Sequence, residues 1–154
     1  MSAMDYDHQA PLPDPELNPE FYADTPAKRF FAWLVDGVLI FLVTLAVLPF
    51  TAFTGIFFYP LLWLVISFAY RTVTLASGSA TWGMRLMSLE MRTHRGERFG
   101  LGEAFIHTLV YSFAISTFFV QAISIVLMLA TPRRQSLGDH LLGSVALNRA
   151  AARR

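Results

Sequence analysis

The sequence predicts an all-α membrane protein: a small helical bundle of about three transmembrane segments with a cytoplasmic loop. Three observations carry that expectation. The chain is 55% hydrophobic and only 15% charged, where an ordinary soluble domain is roughly a quarter charged. Its apolar residues are gathered into long runs instead of recurring at helical or strand period, which is how a bilayer selects sequence. Its arginines sit beside those runs, chiefly within residues 71–103 and after residue 131.

The same composition excludes several classes. A net charge of +1 provides no basic field to hold nucleic acid. The absence of cysteine removes disulfides, thiolate metal sites and cysteine nucleophiles. His8, His94, His107 and His140 show no ligand spacing with one another, so no metal is expected. The glycine-rich stretches 78–83 and 96–102 lack the Lys-Ser/Thr ending of a phosphate loop and read as turns, so no cofactor is expected. Asp36 and Asp139 imitate a membrane aspartyl protease pair only in residue type; the expectation is a protein that is not an enzyme.

Residues 1–27 hold six carboxylates and five prolines, a mix that buries too little apolar surface to offset the cost of ordering. They are expected to form a disordered acidic tail. A secretory signal would start with basic residues and reach its apolar stretch early, whereas here the first apolar run begins at Phe30.

That run, residues 30–50, matches the ~20 residues needed to cross a hydrocarbon core. Thirteen Phe, Leu, Ile and Val residues lie between Phe30 and Leu48. Each favours insertion by about 0.3–0.6 kcal/mol, against roughly 2.5–3.5 kcal/mol for a central aspartate, so the span tolerates Asp36. Pro49, Thr51, Thr54 and Gly55 then signal a turn, and residues 56–70 form a second, shorter run. Trp33, Tyr59, Trp63 and Tyr70 suit the headgroup level and equally suit lipid-facing filler.

The loop 49–55 has no Lys or Arg, whereas residues 71–103 carry Arg71, Arg85, Arg92, Arg95 and Arg98. The excess of basic residues places the amino terminus and this loop in the cytoplasm. Leu86, Met87, Leu89 and Met91 alternate imperfectly with polar residues, as in a short strand or an interfacial helix.

The third apolar segment, residues 104–131, would be about 42 Å long as one straight helix. A single crossing puts Arg133, Arg134, Arg149, Arg153 and Arg154 outside, against the positive-inside tendency. A folded-back path keeps them inside but must be re-entrant. The expectation leans to one long tilted or broken helix. Thr117, Gln121 and Ser124 share a helical face, which suits helix packing or a polar path.

Arg29 and Asp36 lie seven residues apart, on nearly one helix face but about 10 Å apart along the axis. They stack without touching. Asp36 sits about a third of the way into its span and needs a partner or water. A second acid, Asp139, lies in Arg133-Arg134-Gln135-Ser136-Leu137-Gly138-Asp139-His140, where it has Arg133, Arg134 or Arg29 as candidate partners.

The stretch from Arg29 to Asp36, RFFAWLVD, resembles the opening motif of the RDD family of membrane proteins, named for one arginine and two aspartates. Residues 78–86, GSATWGMRL, resemble its central small-residue motif, and residues 137–144, LGDHLLGS, its closing aspartate motif. The resemblance covers about residues 28–148 and leaves 149–154 as a basic tail. Carried over by position, the family's arginine and aspartates are Arg29, Asp36 and Asp139. His107 stands where many relatives have arginine, and Ser144 where threonine is usual. The resemblance implies a bacterial inner-membrane protein, and a few members are described as cation/proton exchangers. The functional expectation is therefore cation/proton exchange or transport through Asp36, within a homo-oligomer or with a membrane partner. Its rival is a non-catalytic accessory or assembly protein whose aspartates only fix packing.

Overall fold

The computed structural model describes residues 12–149. The calls on residues 1–11 and on the basic tail beyond Arg149 lie outside the described residues. Six helices and one small sheet follow in order: α1 (Thr25–Val47), α2 (Tyr59–Gly78), α3 (Trp82–Leu86), β1 (Leu89–Arg92), α4 (Leu101–Ser116), α5 (Phe118–Ala130), α6 (Leu137–Leu142) and β2 (Val145–Asn148). The fold is mostly helical, and the expectation of an all-α chain is corrected by the antiparallel pair β1–β2, in which Met91 faces Ala146. The alternation of Leu89 and Met91 is thus a strand.

Among the described residues two helices are long and apolar enough to cross a membrane, α1 and α2, and the bent pair α4–α5 is a third if it counts as one span. Pro26 sits in the first turn of α1, where its missing N–H is harmless. Pro49 falls in the 3-10 turn Leu48–Thr51 that ends the helix. Along α1 and α2, Leu34, Val38, Leu42, Leu61 and Val65 stand exposed, an apolar surface far larger than a water-soluble monomer carries and one suited to lipid. α2 does not stop at Tyr70 but runs on through Arg71 to Gly78. The arginine is accommodated because it is buried, stacked over the Tyr111 ring at 3.8 Å.

The third apolar segment is not straight. α4 and α5 bend by 118° at Thr117, whose N–H bonds to the Ala114 carbonyl. Lengths of about 24 and 20 Å leave each arm short of a 30 Å core. α5 must return toward the side from which α4 enters, because β2 pairs with β1 of the loop and Lys28 at the start of α1 bonds Asn148 at 3.0 Å. Of the two forms expected for this segment, tilted or broken, the helix is broken, and strand pairing pins the chain on both sides of it to the same end of the bundle.

The amino-terminal segment also differs from expectation over its described part. Phe21 and Tyr22 are buried and cluster with Val145, and the Tyr22 hydroxyl donates to the Pro13 carbonyl at 2.7 Å. Two aromatic anchors order residues 12–24 in spite of their acidic composition. The main core, around Leu75, Met84, Leu89, Met91 and Phe99, lies at this same loop end.

Candidate functional site

Both motif aspartates are buried, and each ties three helices together. Asp36, 2% exposed, hangs from α1 toward α2 and α3. Its Oδ1 accepts from the Tyr70 hydroxyl at 2.7 Å and the Gly83 N–H at 2.8 Å. Its Oδ2 accepts from the Thr81 hydroxyl at 2.6 Å, with the Arg71 guanidinium 3.9 Å away. Thr81 also caps α3 by accepting from the Met84 N–H. Gly83 is required because a Cβ there would collide with the Ala32 carbonyl and lie 2.8 Å from Asp36 Oδ1. The central small-residue motif thus brings a backbone N–H up to a carboxylate inside the bundle.

Asp139 is 0% exposed and belongs to α6, outside the long helices. Ser136 and Asp139 form a capping box: the Ser136 hydroxyl accepts from the Asp139 N–H, and the Asp139 carboxylate accepts from the Ser136 N–H at 3.0 Å. The same carboxylate pairs with Arg29 at 2.5 Å, faces His107 Nε2 at 3.0 Å and accepts from the Ser144 hydroxyl at 3.0 Å. Burial alone would raise its pKa, but the Arg29 guanidinium and the bond from His107 more than offset that and hold the carboxyl well below the usual range. The lock joins α1, α4 and α6. Of the three cations named as candidates, Arg29 is the partner; Arg134 contributes its carbonyl, which Arg29 approaches at 3.5 Å.

Arg29 and Asp36 do not touch, as their helical spacing requires; each serves a different cluster. Between the clusters lies a chamber of about 40 Å³, lined by Arg29, Asp36, Arg71 and His107 among others. It has room for a few waters, each of which needs at least about 10–15 Å³ by such a measure. The proposed polar path is only partly assembled. Gln121 and Ser124 line a larger cleft beside α4, and Ser124 accepts from the Leu137 N–H at 3.1 Å, whereas Thr117 stands at the helix break.

Several members of these clusters escaped the sequence reading. Tyr70, Thr81 and Gly83 act across separations of 34, 45 and 47 residues, and His107, read as lone, meets Asp139 from 32 residues away. The Ser136-x-x-Asp139 spacing is a legible capping signal. Glu90, 6% exposed, was also passed over; it gathers Arg92, Arg98 and Arg149 at 3.1–3.3 Å beside the sheet. Among the described residues no cluster of His, Cys, Asp and Glu has the form of a metal site.

Long apolar helices, a bent helix pair and two buried carboxylates that each engage α1 define a helical protein of the membrane class. The chain belongs to the RDD family, whose model matches residues 24–143. That span includes the arginine and both aspartates in their motif positions. No curated protein and no solved structure matches the chain.

Proposed function

We propose that the chain acts in proton-coupled cation exchange across the membrane, with Asp36 as the group that takes up and releases the proton. The observation that carries this reading is the chamber of about 40 Å³ onto which Asp36 opens together with Arg71 and His107. An ionisable residue within a span, beside a space able to hold water, marks an ion or proton path more often than it marks filler. A carboxylate binds either a proton or a cation, so the two compete for Asp36 and are exchanged. Two long helices and a re-entrant pair enclose little interior, so we assign the conduit to a homo-oligomer or a complex with a membrane partner. We assign the arginine-rich end, with residues 71–100 and the sheet, to the cytoplasmic side of a bacterial inner membrane; the excess of basic residues supports that side. In proteoliposomes carrying a pH gradient, wild type dissipates the gradient on addition of a monovalent cation and Asp36→Asn does not. Equal rates for the two overturn the proposal.

A second reading is favoured by a specific observation: the Asp36 oxygens already accept three hydrogen bonds, one from α2 and two from the start of α3. On that reading both aspartates are packing locks in an accessory protein that offers its sheet and loop to a partner. Asp36→Asn then lowers the melting temperature in detergent and no flux is seen in wild type.

A further inference from the structure

The bend between α4 and α5 opens a second space, about 680 Å³, between α1, α4 and α5. This lies within the roughly 300–1,000 Å³ of pockets that enclose small organic ligands. Most of its wall is apolar: Val110, Ala114 and Ile115 of α4 look across at Ile125, Met128 and Leu129 of α5. The remaining wall is basic. Arg29, Arg71 and His107 line it, while neither Asp36 nor Asp139 does, since both carboxylates sit behind their partners. Arg71 Nε and His107 Nδ1 are buried without a hydrogen-bond partner, and His107 is only 5% exposed. Burying the Arg71 Nε–H donor unpaired is costly, a penalty that a ligand bearing anionic oxygens removes.

We propose that this cleft binds one anionic phospholipid, its phosphate against Arg71, Arg29 and His107 and one acyl chain between α4 and α5. Three features converge on that occupant. The basic wall carries no carboxylate, which disfavours a cation. A wholly apolar ligand leaves the Arg71 Nε–H unmet. Arg29 stands near the start of α1 at the loop end of the bundle, the depth of lipid headgroups, and basic pockets between membrane helices are where anionic headgroups settle. The Arg71 guanidinium, which lines the cleft, donates to a phosphate oxygen. This assignment does not rest on ion exchange: the cleft shares Arg29, Arg71 and His107 with the Asp36 chamber but needs no transport step.

The test uses the full chain, purified in nonionic detergent and stripped of lipid. It is offered phosphatidylglycerol, phosphatidylcholine with the same chains, or inorganic phosphate, with retained lipid read by native mass spectrometry and stability by thermal melting. One phosphatidylglycerol is retained per chain in preference to phosphatidylcholine, and it raises the melting temperature. Arg71→Gln weakens phosphatidylglycerol retention about fivefold, the equivalent of ~1 kcal/mol per basic side chain, and leaves phosphatidylcholine retention unchanged. Met128→Trp fills the apolar part of the cleft and lowers phosphatidylglycerol retention, which decides the matter if Arg71→Gln does not fold. Equal retention of the two lipids, an equal melting shift from inorganic phosphate alone, or full phosphatidylglycerol retention by folded Met128→Trp overturns the proposal.

Discussion

Replacing Asp139 by Asn is the sharpest available probe of the loop-end lock, because the side chain keeps its shape and loses only its charge. The wild-type carboxylate is fully enclosed and holds Arg29, whose own side chain is 14% exposed, together with His107 and the hydroxyls of Ser136 and Ser144. The amide can accept through one oxygen only and turns an NH₂ toward groups that are themselves donors. Breaking a buried pair from one side costs about 3–5 kcal/mol, because the remaining charge stays buried without compensation. At about 2–4 °C per kcal/mol for a chain of this size, the melting temperature should fall by roughly 6–20 °C. The assay is thermal unfolding in detergent followed by tryptophan fluorescence. A second arm, Arg29→Met with Asp139→Leu, removes both charges and should be much milder than the sum of the single changes, since neither partner is then stranded. A melting temperature for Asp139→Asn within a degree or two of wild type, or strict additivity in the double variant, would refute the lock.

Three further outcomes follow from the same contacts. Gly83→Ala drives a methyl group against the Ala32 carbonyl and toward Asp36 Oδ1; overpacking of this kind costs about 1–3 kcal/mol, and an unchanged melting temperature would show that α3 sits elsewhere. Because the Asp139 pKa is depressed in the folded chain, its contribution is fully present above the unfolded value of about 3.9 and is lost as pH falls toward the folded value; melting curves should therefore show no loss from this residue between pH 8 and 5, and a loss centred near pH 6 speaks against the pairing. The chain has no cysteine, so single cysteines at His94, Gln135 and Phe57 can be labelled with a membrane-impermeant maleimide: positions 94 and 135 should react from one side and position 57 from the other, and labelling of 94 and 135 from opposite sides would restore a full third crossing.

What the sequence made legible was whatever depends on near neighbours. The runs that became α1 and α2, the turn at Pro49, the strand alternation at Leu89 and Met91 and the stacking of Arg29 over Asp36 all follow from local period and composition. The contacts of the site do not, because Tyr70, Thr81 and Gly83 reach Asp36 only after separate helices meet. β2 is equally opaque: Val145 to Asn148 is a short run whose partner lies more than fifty residues earlier. The bend at Thr117 has neither glycine nor proline to announce it, and it is forced by the pairing of β2 with β1 at the loop end. Composition misled once, at residues 12–24, where Phe21 and Tyr22 outweigh the surrounding acids by docking on β2.

The placement of charge explains why the fold spends buried carboxylates at all. No charged residue occurs from Gly37 to Tyr70, so the far half of α1 and α2 meets lipid and its neighbours with equally apolar surface. In a bilayer such faces gain little from preferring one another, since lipid tails are as apolar as leucine, and association relies on packing and polar contacts. Register and rotation must then be set elsewhere, and α1 supplies the means by offering Arg29 to Asp139 and, two turns on, Asp36 to Tyr70, Thr81 and Gly83. A shift of α1 by one residue turns it by about 100° and removes both groups from their partners together. Because its apolar residues outweigh one aspartate on insertion, α1 can enter the membrane before those partners exist. The two carboxylates therefore select the arrangement of helices already in lipid, and the same selection leaves an ionisable group beside a space where water fits.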